Sequence, residues 1–149
     1  MEATIALPTF FASLVLSGLL IWISIIDLHQ FRIPNWLNIS LIISGLVHAA
    51  TVSEDITSCL IGATVGYLSL ALWGELYFRI RRREGLGLGD AKLFSGAGAW
   101  LGWQDLPLVL LIAALGGLAY AFISRTGPKD RIAFGPFIAL AIFSLWIVR

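Results

Sequence analysis

Gly85-Leu86-Gly87-Leu88-Gly89-Asp90-Ala91-Lys92 is a charged, glycine-rich stretch set between two apolar segments that are long or greasy enough to lie in a bilayer. A carboxylate at such a place is expensive, and ionisable groups at membrane depth usually face a protein-lined or watery cavity, so Asp90 is a site candidate from its setting alone. Asp27 repeats the arrangement. It follows the uncharged, mainly apolar run Leu14 to Ile26 and is followed in turn by Arg32, Ile33, Pro34 and Asn35. The two acids form a candidate pair, carried by apolar helices rather than by a soluble scaffold.

Apolar runs separated by charge or proline predict six membrane segments: roughly Leu7 to Ile26, Trp36 to Val52, Ile56 to Phe78, Ala91 to Trp103, Leu106 to Ser124 and Ile132 to Val148. A full crossing takes about 20 residues. The fourth segment offers about 20 Å of helix against a hydrocarbon core of about 30 Å, so it needs shielding by its neighbours, with Asp90 below the membrane surface.

Composition agrees with a membrane protein. Of 149 residues, 58% are hydrophobic and 13% charged, and the mean hydropathy is +0.89. A net charge of +1, with the basic residues gathered at loops, argues against a nucleic-acid partner. The single Cys59 excludes an intramolecular disulfide, and with only His29 and His48 beside it no metal site is expected. The N-terminus carries Glu2 and no basic residue before its apolar run, which predicts a retained helix rather than a cleavable signal. Residues 1–149 are expected to form one membrane-embedded domain.

Short cytoplasmic loops are enriched in lysine and arginine. Arg32, Arg79, Arg81, Arg82, Arg83, Lys92, Arg125, Lys129 and Arg131 fall on one side of the predicted bundle, nine of the ten basic residues. The other side has Glu2, Glu54, Asp55, Asp105 and Arg149. The fold class is therefore all-α and polytopic, with about six transmembrane helices, both termini on the non-cytoplasmic side, and Asp27 and Asp90 together at the cytoplasmic face.

Gly62 with Gly66, and Gly98 with Gly102, have the spacing that lets helix backbones approach, and Gly116-Gly117 marks another packing seam. The six tryptophans fall mostly near segment ends, as interfacial anchors do. His48 reads as a packing residue, Glu75 and Arg79 as a local ion pair one turn apart, and Lys92 as an interface anchor. Pro34 and Pro136 sit at helix starts, where a missing N–H costs little.

Two carboxylates can hydrolyse an amide if one is ionised to take a proton from water while the other, protonated, polarises the carbonyl. Proximity creates that asymmetry, because two like charges a few ångströms apart cannot both ionise cheaply and so share a proton. Gly85, Gly87 and Gly89 lack the strand and the Lys-Ser or Lys-Thr of a nucleotide loop. They are expected to adopt backbone turns closed to other residues and to admit an extended substrate beside Asp90.

Asp27, the spaced Ile33-Pro34-Asn35, and Glu84-Gly85-Leu86-Gly87-Leu88-Gly89-Asp90-Ala91-Lys92-Leu93 together resemble the type IV prepilin peptidases, membrane aspartic proteases of the GxGD type. The likeness runs on through Gly96 to Trp103 and reaches Phe134-Gly135-Pro136-Phe137. It implies that Asp27 and Asp90 are the catalytic pair, that Gly87 and Gly89 form the turn beside the second acid, and that Gly135 and Pro136 border the site and help hold substrate. Glu84 either meets a basic leader or pairs with Arg81 to Arg83. The implied substrates are type IV prepilins or type II secretion pseudopilins, cut after a glycine at the edge of an apolar helix in the bacterial inner membrane, with no cofactor. Many relatives also carry a cysteine-rich zinc module and methylate the product. This sequence opens on its first apolar segment, so a peptidase without N-methyltransferase activity is expected. The rivals are a small proton-coupled carrier and a non-catalytic pilus-assembly protein.

Overall fold

Apolar chain has few ways to satisfy its backbone in hydrocarbon, and a segment without a partner strand has only the helix. The computed structural model describes residues 2–52, 55–82, 87–125 and 132–148. Among them run six helices and no strand: α1 (Glu2–Gln30), α2 (Asn35–Thr51), α3 (Ile56–Arg81), α4 (Leu88–Leu101), α5 (Leu106–Ile123) and α6 (Gly135–Val148). Thr9–Gln30 within α1, the whole of α3 and the whole of α5 are long and apolar enough to cross a membrane. The all-α membrane fold expected from the sequence is the one found.

The short fourth helix is the centre of the bundle. It packs against α2, α3, α5 and α6, and Ala91 and every residue from Leu93 to Leu101 are buried. Fourteen residues make a helix of about 21 Å, so the shielding its length requires is supplied by protein on nearly every side. Small residues allow this. A Cβ on Gly62 would lie 2.6 Å from the Gly98 carbonyl oxygen, and one on Gly66 would lie 2.8 Å from that of Phe94, so α3 and α4 touch backbone to backbone. Ser95 Oγ donates across the seam to Ala63 O at 2.8 Å. Gly116 and Gly117 form the second seam, against Phe137 and Phe134 of the α6 end.

Of the boundaries that differ from the sequence reading, three bear on the two acids and their surroundings. α1 continues past Ile26 to Gln30, so Asp27 lies within the helix; it stops where Phe31 turns left-handed at φ 50° and its N–H bonds Asp27 O at 2.9 Å. α4 begins at Leu88 rather than Ala91, which puts Asp90 in its first turn, and α6 begins at Gly135 rather than Ile132. Apolarity marks where hydrocarbon lies, whereas backbone hydrogen bonding decides where a helix ends.

Trp100 corrects the anchor reading. It is buried at the core end of α4, donates from Nε1 to Leu41 O at 2.8 Å, and stacks on His48 with ring centres 5.6 Å apart and planes at 19°. Trp146 closes this cluster edge-on, 5.2 Å from Trp100, so His48 packs as expected. Trp22 and Trp36 are half exposed and meet edge to face at 5.7 Å, as an outward-facing pair.

Candidate active site

A helix leaves its first four N–H groups without intrahelical partners. α6 gives one of these to Asp27: the Gly135 N–H donates to Asp27 Oδ2 at 2.9 Å, across 108 positions of sequence. The Asp27 side chain is buried, only 5% exposed. The approach needs glycine, because a Cβ at position 135 would stand 2.6 Å from Asp27 Oδ2, 3.1 Å from its Cγ and 3.3 Å from Ile33 Cδ1. Ile33, ahead of Pro34, is buried, and its side chain meets Gly135 on the same face as Asp27.

Asp90 stands in the first turn of α4. Gly87 caps α4 in an extended conformation, φ −73° and ψ 144°, and its carbonyl accepts the Asp90 N–H at 3.1 Å. A Cβ on Gly89 would lie 3.5 Å from Ile33 Cβ, so the glycine turn packs on the same isoleucine that Gly135 touches. Asp90 is half-buried, and Asp27 is near enough for its charge to act on the Asp90 carboxyl group. Gly89, next to Asp90, and Gly135, bonded to Asp27, thus both pack on Ile33 at one end of the bundle.

The glycines do this without unusual backbone. Gly87 has ordinary extended angles, Gly89 is helical, and among the described residues Gly102 is the glycine with positive φ, at 83°. The expectation that Gly87 and Gly89 need turns closed to other residues is therefore corrected; Gly85 and Glu84 lie outside the described residues. Pro136 follows Gly135 and lines a groove between α1 and α6 with Ser24 and Leu28. Lys92 turns away from Asp90 and donates from Nζ to Asn35 Oδ1 at 2.6 Å. The expected Glu75–Arg79 pair is present at 2.8 Å on the surface, where such a pair is worth little.

Asn38 is a residue the sequence motifs do not single out. It is fully buried on α2, and its Nδ2 faces the Gly89 carbonyl oxygen at 3.5 Å, a long contact that ties α2 to the glycine turn. An amide inside an apolar membrane helix was the signal that could have found it. Among the described residues no group of three His, Cys, Asp or Glu side chains could hold a metal ion.

The family model described as the type IV leader peptidase family matches residues 14–122, a span that holds both acids. The chain belongs to that family. The type IV leader peptidase relatives include a prepilin leader peptidase/N-methyltransferase of Escherichia coli (strain K12), 42% identical over 124 residues, which are 79% of this chain and 54% of that protein. Proteins of the same name from Pectobacterium carotovorum subsp. carotovorum and Aeromonas hydrophila are each 37% identical, over 86% and 91% of this chain and 48% and 49% of their own. The chain spans about half the length of the curated relatives it matches. No solved structure matches it.

Proposed function

We propose that this protein is a membrane aspartic endopeptidase that removes the basic leader from type IV prepilins or type II secretion pseudopilins, with Asp27 and Asp90 as its catalytic pair. The observation that carries this reading is the buried Asp27 carboxylate, held by the Gly135 N–H, at a place where Gly135 and Gly89, the neighbour of Asp90, both pack on Ile33. Membership of the leader peptidase family supports it.

In the reaction, the ionised carboxylate takes a proton from water as the water oxygen bonds to the peptide carbonyl carbon. The protonated carboxyl hydrogen-bonds the carbonyl oxygen as it gains charge. Collapse of the tetrahedral adduct breaks the C–N bond, and a proton passes to the departing amine. Gly135 fixes the Asp27 rotamer throughout, and the absence of a side chain at Gly87 and Gly89 leaves room for an extended peptide beside Asp90. The site faces the cytoplasm in a multi-pass protein of the bacterial inner membrane, following the side on which the basic residues gather. A substrate helix then stays in the bilayer while its basic leader remains in water, which avoids extracting apolar surface from lipid.

The test is to incubate the purified protein with a prepilin in detergent and measure the intact mass of the product. Loss of the leader, cut after a glycine at the helix edge, is expected; an unaltered mass would remove the reading. With a methyl donor added, the same spectrum reports whether the new N-terminus is methylated.

A further inference from the structure

A groove runs between α2 and α3 with α4 as its floor, a cavity of about 550 Å³ walled by Ile39, Ile42, Tyr67 and Leu68. Its rim is open sideways: Ile39 is 54% exposed and Leu68 47%, where lipid or a membrane-anchored chain would stand. Polar groups line the groove where it nears the glycine turn, and most already have partners. Lys92 donates to Asn35, and Ser95 donates to Ala63 O. Asn38 differs. Its side chain is 0% exposed, its Nδ2 faces Gly89 O, and among the described residues its Oδ1 accepts no hydrogen bond. Turning the amide over gives no relief, because Oδ1 would then face the Gly89 carbonyl oxygen, acceptor against acceptor. A buried acceptor left in this state is costly, and a donor brought by a ligand would remove that cost.

The opposite groove, between α1 and α6, makes no such demand. The hydroxyls of Ser17 and Ser24 that line it already donate to carbonyl oxygens one turn back.

We infer that the α2–α3 groove seats the apolar helix of the substrate, and that Asn38 Oδ1 accepts a hydrogen bond from a backbone N–H in the first turn of that helix. The donor is of the right kind, since the first turn of any helix has N–H groups with no partner in its own chain, and in hydrocarbon no water serves them. The position is right as well. The Asn38 end of the groove touches Gly89, next to Asp90, so a helix starting there carries the bond just before it towards the acid pair. A lipid chain would fill the apolar part but bring no donor. The inference rests on the peptidase reading.

The test uses the whole protein in nanodiscs and a synthetic probe: a basic leader, a glycine and an apolar helix of about 20 residues, with benzoylphenylalanine in the second turn of the helix. Crosslinks are expected on Ile39, Ile42 or Leu68, in the wild type and in Asp27→Asn alike. Leu68→Trp, which fills the groove from its exposed rim, and Asn38→Leu, which deletes the acceptor, should each lower the yield about tenfold. Circular dichroism checks that both variants are folded, and Leu68→Trp alone suffices if Asn38→Leu is not. Crosslinks on Leu20, Ile25 or Leu140 of the other groove, an undiminished yield in the folded variants, or crosslinks to lipid alone would overturn the inference. Cleavage is scored in the same samples, so groove crosslinks without cleavage in the wild type would sink the peptidase reading and leave the docking site standing.

Discussion

Gly135 does two things at one position: its N–H holds Asp27 Oδ2, and its missing Cβ is what lets the carboxylate lie there. Gly135→Ala would place a methyl group 2.6 Å from Oδ2, so the carboxylate must swing away. Displacing a reacting group by about 1 Å can cost about a hundredfold in rate. The kcat for leader removal is therefore expected to fall about a hundredfold with helical content unchanged, and activity within twofold of wild type would show that the Asp27 rotamer is immaterial. The two acids were legible in the sequence because charge in an apolar run is conspicuous. The Gly135 contact was not, since nothing local in a Gly-Pro dipeptide points to a carboxylate 108 positions away. Asn38 carries no charge, so it does not stand out from an apolar run as the acids do. Gly87 and Gly89 misled in the other direction: three glycines in five residues suggested rare backbone angles, yet at the two described positions the angles are ordinary and what matters is the space a side chain would take.

Among the helices, stability should depend most on the seam between α3 and α4. A Cβ on Gly98 would run into the carbonyl group of Gly62 and stand 2.7 Å from Ala63 N, all of it backbone that cannot rotate aside. Gly98→Val is expected to destabilise the protein by about 1–3 kcal/mol, read as a lower unfolding midpoint in detergent. Gly18, on α1, has nothing within 4 Å of a Cβ, so Gly18→Ala should leave the midpoint unchanged or raise it by up to about 1 kcal/mol. Equal effects at the two sites would mean that the seam is not a close contact. The number and order of helices were legible because each apolar run is bounded by charge or proline. Which helix is central was only half legible. The shortness of the fourth segment implies shielding, but hydropathy cannot tell a lipid neighbour from a protein one, so it groups Trp100 with the anchors although Trp100 is core.

At the scale of the molecule, orientation follows from nine of ten basic residues lying on one side of the predicted bundle. Single cysteines placed at the exposed positions Asp55 and Arg82, in a Cys59→Ser background, should report it with a membrane-impermeant maleimide. Labelling at position 55 in intact spheroplasts, and at position 82 only after permeabilisation, is expected; the reverse pattern would put both acids on the wrong side for a cytoplasmic leader. What the helices bring together at that end is the point on which function turns. The decisive measurement is prepilin cleavage by the wild type, Asp27→Asn and Asp90→Asn, with substrate binding followed in parallel. Each single substitution should abolish leader removal while binding persists, because one neutral amide leaves no carboxylate pair to share a proton. Undiminished cleavage by either variant would contradict a catalytic pair.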